Sequence, residues 1–233
     1  MEKQNLDQHF MIDKELLTRI VNYADLKETD IVLEIGAGKG ALTKLLIKKT
    51  QVKAIELDSE LFKELEKINS ENLSLKQGNA LSLIKNIHFN KIVANIPYSI
   101  SEPLIKKILI KQPELVVLTT GINFLSYLDK NELLKLIYDY EVKEKVSRKC
   151  FYPQPNTESM ILYLKLKNDK IALFFQELLS QHDKKLKNAL LKSFENTLTK
   201  NETREKIKGF DSLEKSPINI SNKDIEELKN IIN

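Results

Sequence analysis

The sequence is poor in the features that staple, anchor or loosen a chain. It has one cysteine, Cys150, in 233 residues, so no internal disulfide can form and no zinc site can be built from cysteines. A small packed side chain is the expected role for that thiol. The three histidines, His9, His88 and His182, are scattered, and no group of residues has metal-ligand spacing, so no metal is expected. No apolar run approaches the ~18–20 residues of a membrane span, so no membrane association is expected. Met1 to Asp7 lacks a basic stretch followed by an apolar one, which argues against a signal peptide. A cytoplasmic protein is the expectation. Glycine and proline number only six each, and 30% of residues are charged, a globular rather than disordered composition. The excess of basic residues is small: 37 Lys and Arg against 33 Asp and Glu, a net charge of +4. That permits a nucleic-acid partner without demanding one.

What is present alternates. Ile31 to Ile35 is an apolar run ending at Gly36, the pattern of a buried parallel strand. Further strands are expected at Val52–Leu57, Leu73–Gln77, His88–Ala94 and Glu114–Leu118. Between them fall helical spacings at 15–24, 41–49 and from Asp58 or Ser59 to about Ile68, and a helix with Pro103 in its first turn. This order implies a parallel sheet covered on both faces. After residue 140 the pattern changes. Glu141–Lys149 and Ser159–Leu166 read as an antiparallel pair closing the sheet edge, joined by the turn-rich 151–155. Beyond Asn168 the chain is polar and helical, with Leu186, Leu190 and Phe194 on one face. The expected division is an α/β domain over 1–167 and a small helical domain over 168–233.

Two segments carry chemistry. The first is Glu34-Ile35-Gly36-Ala37-Gly38-Lys39-Gly40, between a strand and a helix, with Glu56 ending the next strand. Glycines there allow a tight turn and close approach of a ligand, and an acid in that place accepts ribose hydroxyls. The same glycines would also serve a plain sharp turn. The spacing is Gly-x-Gly-x-Gly, and Glu34 beside it would repel a pyrophosphate, so S-adenosylmethionine is favoured over a dinucleotide. Asn79, after the third strand, is a candidate for the amine of the cofactor adenine and equally an ordinary turn residue. The second segment is Asn95-Ile96-Pro97-Tyr98, at the carboxyl end of the fourth strand, where ligands bind in such sheets. Its chemistry suits the N6 amine of adenine, a poor nucleophile with a delocalised lone pair. The Asn95 amide oxygen and the carbonyl of Ile96 or Pro97 can accept the two N–H bonds. Pro97 fixes the turn and adds no donor. Tyr98 offers a face on which the flipped base can stack. Alone, Asn-x-Pro would read as a proline turn; behind the glycine loop it is far more specific.

The sequence resembles the KsgA-type ribosomal RNA adenine dimethyltransferases, and more distantly the Erm methyltransferases. The resemblance rests on Gln8 to Asp13, Glu34 to Thr43, Ile55 to Asp58, Asn79-Ala80, Val93 to Ser101, Phe151 to Pro155 through Ser159, and Gln181-His182 to Leu190. It implies a Rossmann-like methyltransferase sheet with a small helical C-terminal domain. It implies that His9, Met11, Gly36, Gly38, Glu56, Asn79 and Asn95 contact S-adenosylmethionine. It further implies that Asn95, Pro97 and Tyr98 handle the target adenine and that Phe151 stacks on its other face. The expected activity is N6-dimethylation of adjacent adenosines near the 3′ end of small-subunit rRNA, within a pre-ribosomal small subunit, by a monomer. An assembly factor with weak catalysis, and an Erm-like enzyme acting on large-subunit rRNA, are the alternatives. The family's usual acid is replaced by Asn79, and the stretch after the fifth strand reads Thr119-Thr120-Gly121-Ile122-Asn123. The segment between Tyr98 and Phe151 is shortened, and Asp183 stands where the family carries an arginine. These departures fall on surfaces expected to meet RNA. Lys184, Lys185 and Lys192 form either a phosphate-contacting face or a solvated one.

Overall fold

The computed structural model describes residues 8–232. The N-terminal stretch considered for a signal peptide lies outside them. The strands in chain order are β1 (Phe10–Met11), β2 (Ile31–Ile35), β3 (Gln51–Glu56), β4 (Leu73–Gln77), β5 (Lys91–Asn95), β6 (Leu115–Gly121), β7 (Tyr138–Val146), β8 (Phe151–Tyr152) and β9 (Ser159–Leu166). The helices are α1 (Lys14–Tyr23), α2 (Thr43–Leu46), α3 (Ser59–Leu65), α4 (Ala80–Leu83), α5 (Ser101–Lys111), α6 (Leu125–Lys130), α7 (Glu132–Ile137), α8 (Lys170–Ser180), α9 (Leu186–Ser193), α10 (Lys200–Ile207) and α11 (Asn222–Ile232).

Seven strands form one sheet in the order β4-β3-β2-β5-β6-β9-β7. β4 through β6 run parallel, and β9 joins β6 antiparallel. The apolar runs fill the sheet's interior: Val32, Leu33, Ile92, Val93, Val116, Val117, Ile161 and Leu162 are all fully buried. Burial on both faces is why these strands read as continuous rather than alternating. Helices start where the chain supplies an acceptor. Asp13 accepts from Leu16 N–H at the start of α1, and Asp58 from Glu60 and Leu61 N–H at the start of α3. Each satisfies N–H groups that the helix cannot.

Some boundaries move for identifiable reasons. The fourth strand begins at Lys91 rather than His88, because Asn90 is tied into a turn. Its side chain accepts from Ile31 N–H and donates to Asp30. The helix expected over 41–49 is only α2, followed by a tight turn from Lys49 N–H to the Leu46 carbonyl. The strand expected to reach Lys149 stops at Val146, where Ser147 caps a short turn. Phe151–Tyr152, expected as a turn, is a strand. It pairs antiparallel with β1, Met11 opposite Phe151 and Phe10 opposite Tyr152.

The chain groups into two compact units. One holds the residues up to Lys107, with Pro113–Tyr127 and Tyr140–Lys165. The other holds Ile108–Gln112, Leu128–Asp139 and the residues from Leu166 on. In this second unit α8 packs on α7 and α9, and the Phe174 and Phe194 rings lie 4.9 Å apart.

The strand order locates a crevice. From β2 the chain winds outward through β3 to β4, then returns to place β5 on the other side of β2. The connections after β2 and β5 therefore diverge, and a crevice opens at their carboxyl ends, the usual ligand position in such sheets.

Candidate active site

A cavity of about 360 Å³ occupies that crevice. Its wall comes from the segments that follow β2, β3, β4 and β5 and from the stretch Gln8–Ile12. The glycine loop is the floor. Gly36 and Gly38 have φ of +70° and +57°, a region that side chains with a Cβ rarely adopt. Gly36 and Ala37 N–H both donate to the Ile55 carbonyl, which ties the loop to β3. At Gly38 a Cβ would stand 3.2 Å from the Phe10 ring, so the missing side chain is what lets β1 lie across the loop.

Glu56 is held by the backbone. One carboxylate oxygen accepts from Gly38 N–H at 2.7 Å; the other accepts from Leu57 and Asp58 N–H. Glu34 behaves differently from expectation. Burial, and further the charge of Glu56, pushes its carboxyl up to about 8. It is therefore largely protonated near neutral pH and is not the phosphate-repelling anion expected from its place in the loop. Its Oε2 is buried and has no hydrogen-bond partner among the described residues.

Asn95 ends β5. Its Nδ2 donates to the His9 carbonyl at 3.1 Å. A carbonyl can only accept, so this bond sets the amide's orientation and leaves Oδ1 as an acceptor. Of the two backbone carbonyls considered beside it, that of Pro97 accepts from Ile100 N–H and closes the turn. The Ile96 carbonyl is the uncommitted one among the described residues. The Tyr98 hydroxyl is hydrogen-bonded to Ser159, and its ring lies against Gly121, where a Cβ would approach it to 3.0 Å. The His9 and Tyr98 rings are 6.0 Å apart.

His9, Met11, Gly36, Gly38, Glu56, Asn79, Asn95, Pro97 and Tyr98 thus all line one cavity. Phe151 does not. It is 1% exposed and packed in the core that includes Met11, Leu17 and Ile161. The reason is strand alternation: β8 turns one ring inward, and the ring at the cavity is Tyr152. Asn79 also departs from expectation. Its Oδ1 caps α4 by accepting from Leu81 N–H at 2.9 Å, so the oxygen meant for an adenine amine is engaged and the Nδ2 donor remains. Most of the lysines near α9 are matched by a nearby carboxylate, but Lys184 is not and donates to Gln181 Oε1 instead. Lys185 and Lys187 share Glu214, whose carboxyl these partners hold down to about 2, and Lys192 pairs with Glu195. Sequence reasoning missed Tyr152, Ser159 and the role of the His9 carbonyl. Tyr152 and Ser159 lie within the segment that carried the family resemblance, but nothing in it singled them out.

Residues 1–230 match the model of the family described as ribosomal RNA adenine dimethylase. The chain belongs to this family. It is 37% identical to the ribosomal RNA small subunit methyltransferase A of Mycoplasma mobile, over 81% of this chain and 82% of that one. It is 35% identical to the probable ribosomal RNA small subunit methyltransferase A of Thermococcus sibiricus, over 88% of this chain and 80% of that one. Among solved structures it resembles a dimethyladenosine transferase from Plasmodium falciparum, with a TM-score of 0.64 and 26% identity over 94% of this chain and 96% of that one. The 23S rRNA methyltransferase ErmE matches with a TM-score of 0.63 and 20% identity, over 96% of this chain and 99% of that one, a likeness of fold. The sheet is thus that of a methyltransferase.

Proposed function

We propose that this member of the family transfers methyl groups from S-adenosylmethionine to the N6 amines of adjacent adenosines near the 3′ end of small-subunit rRNA, as a step in ribosome biogenesis. The observation that carries the reading is the Asn95 amide, oriented by the His9 carbonyl so that its oxygen stands free beside the Ile96 carbonyl. Two acceptors and no added donor, at the mouth of a nucleoside-sized cavity, suit an aromatic amine with two N–H bonds. Accepting both bonds draws the lone pair out of conjugation and onto the nitrogen. The Tyr98 ring, fixed by Ser159, offers the stacking face for the base.

The residues fit the cofactor. About 360 Å³ is within the ordinary range of small-molecule sites. The positive-φ glycines keep the floor free of side chains. Three of the roughly four acceptor positions of Glu56 are filled by backbone N–H groups, which leaves one for a ribose hydroxyl. Asn79 Nδ2 suits an adenine ring nitrogen. His9, Met11, Gly36 and Gly38 complete the wall. When bound, S-adenosylmethionine supplies an electrophilic methyl group on a sulfonium. The protein's part is to orient the amine, exclude water and stack the base.

We place this chemistry in residues 1–167 and read 168–233 as a small helical domain. The enzyme is read as a monomer acting on pre-ribosomal small subunits in the cytoplasm; among the described residues no helix is long and apolar enough to cross a membrane. The test uses labelled cofactor with unmethylated small subunits and, separately, naked large-subunit rRNA, and maps the modified adenines. Paired labelled adenines near the small-subunit 3′ end are expected. Asn95→Ala should lower kcat by about 100-fold or more with the melting temperature little changed. Full activity in that variant overturns the role of Asn95, and label only on large-subunit rRNA reassigns the substrate.

A further inference from the structure

Four large hydrophobic side chains are exposed among the described residues: Ile12, Leu57, Tyr152 and Leu173. Three of them, Ile12, Leu57 and Tyr152, line the cavity described above. Apolar exposure is therefore concentrated at one mouth, where single scattered residues are the norm. Tyr152 is the aromatic of the group and is 71% exposed.

Its backbone is held. β8 is paired with β1, Phe10 opposite Tyr152. The next residue is also held, because the His9 ring donates from Nδ1 to the Pro153 carbonyl at 2.9 Å. The backbone that carries the ring is thus ordered before a ligand arrives. The ring is also turned outward, since the inward position of the two-residue strand belongs to Phe151. Cations lie on the neighbouring segments. Lys39 lies 4.9 Å from the centroid of Phe10. Arg148 and Lys149 sit in the turn just before β8, and Arg148 is steadied by donating from Nε to the Pro155 carbonyl at 2.7 Å. None of the three cations has a carboxylate partner among the described residues.

We propose that Tyr152 stacks on the base flanking the target adenine in the RNA strand, with Arg148 and Lys149 facing the adjoining phosphates. The proposal rests on the functional reading above and adds a substrate-selecting residue to it. An outward ring beside basic side chains suits a single-stranded nucleic acid, because every base has a stacking face and the backbone is anionic. The target base has its own platform in Tyr98, within the cavity beside Asn95. Tyr152 therefore serves the neighbour left outside. Arg148 and Lys149 supply position without reading sequence.

The test compares wild type, Tyr152→Ala and Tyr152→Phe on unmethylated small subunits. Tyr152→Ala should raise KM for the subunit about tenfold, with kcat at saturating subunit changed far less. Tyr152→Phe, which keeps the ring, should restore KM to within about twofold of wild type. An unchanged KM in Tyr152→Ala overturns the proposal, as does a loss in kcat alone or a loss that phenylalanine does not repair. A second reading needs no turnover. A hairpin with 2-aminopurine beside the target adenine is titrated with protein, and its fluorescence should be quenched by wild type and Tyr152→Phe but not by Tyr152→Ala. Equal quenching by all three overturns the stacking. Quenching as expected with no methyl transfer by wild type overturns the functional reading alone.

Discussion

Gly121 shows how one absent side chain can govern a catalytic ring. It ends β6, and a Cβ there would stand 3.0 Å from Cδ2 and 3.2 Å from Cγ of Tyr98. Those atoms belong to the body of the ring, and the hydroxyl at the far end is bonded to buried Ser159, so the ring has little room to yield. Gly121→Ala should therefore tilt Tyr98 and lower kcat by about tenfold or more, while costing at most about 1–3 kcal/mol of stability from crowding. Transfer kinetics beside a thermal melt check this; wild-type kcat in the alanine variant would show that the ring does not depend on Gly121. Glu34 teaches a related lesson at the same scale. Its sequence position beside the glycines suggested an anion, yet burial keeps it largely neutral near pH 7. Raised above its ordinary value, this carboxyl favours the native state at low pH, and its contribution declines as pH rises from about 4.5 toward about 8.

The elements that carry the site were legible where they were local. The run Ile31–Ile35 closed by glycines, and the run ending at Asn95, each announce a buried strand and a turn without any tertiary information. β1 and β8 were not legible. Each is two residues long, too short for a period, and they meet across more than half the chain. From that missed pairing followed the error about Phe151, because only pairing decides which of two adjacent rings faces inward. The opposite ends of β2 and β5 hold a feature that was equally hidden. Asp30, just before β2, forms an ion pair with Lys91 of β5 at 2.8 Å, and both side chains are buried. Burial opposes the Asp30 carboxylate, but Lys27 N–H, Lys91 and Asn90 outweigh it and hold the carboxyl below its usual range. Lys91 Nζ also donates to the Ala24 and Asp25 carbonyls. Removing one partner strands the other charge, so Lys91→Met should cost about 3–5 kcal/mol in urea unfolding. A lowered native pKa gives stability that is present above the unfolded value, about 4, and lost as pH falls through the native one. The gap between wild type and Asp30→Asn should accordingly narrow under acid; a gap independent of pH would mean that Asp30 acts without its charge.

Across the whole molecule the surplus of four positive charges matters less than where unmatched cations lie. In the C-terminal helical region much of the charge is balanced nearby: Lys185 and Lys187 by Glu214, Lys192 by Glu195, Lys223 by Asp211, Lys229 by Glu226. These pairs are exposed and add little stability, but each leaves less net charge for a phosphate. The balance differs at Lys39, which lines the cavity, and at Arg148 and Lys149 in the turn before β8, since none of them has a carboxylate partner among the described residues. RNA affinity should therefore depend on salt through the second group more than the first. Measured between about 50 and about 200 mM salt, replacing Arg148 or Lys149 by glutamine should make the slope of log K against log salt shallower by about 1 each. Lys185→Gln should leave the slope nearly unchanged, because the charge it removes is already offset by Glu214. If Lys185→Gln instead flattens the slope and Arg148→Gln does not, the phosphate-contacting face lies on the helical segment, and the strand that enters the cavity is not held from the β8 side.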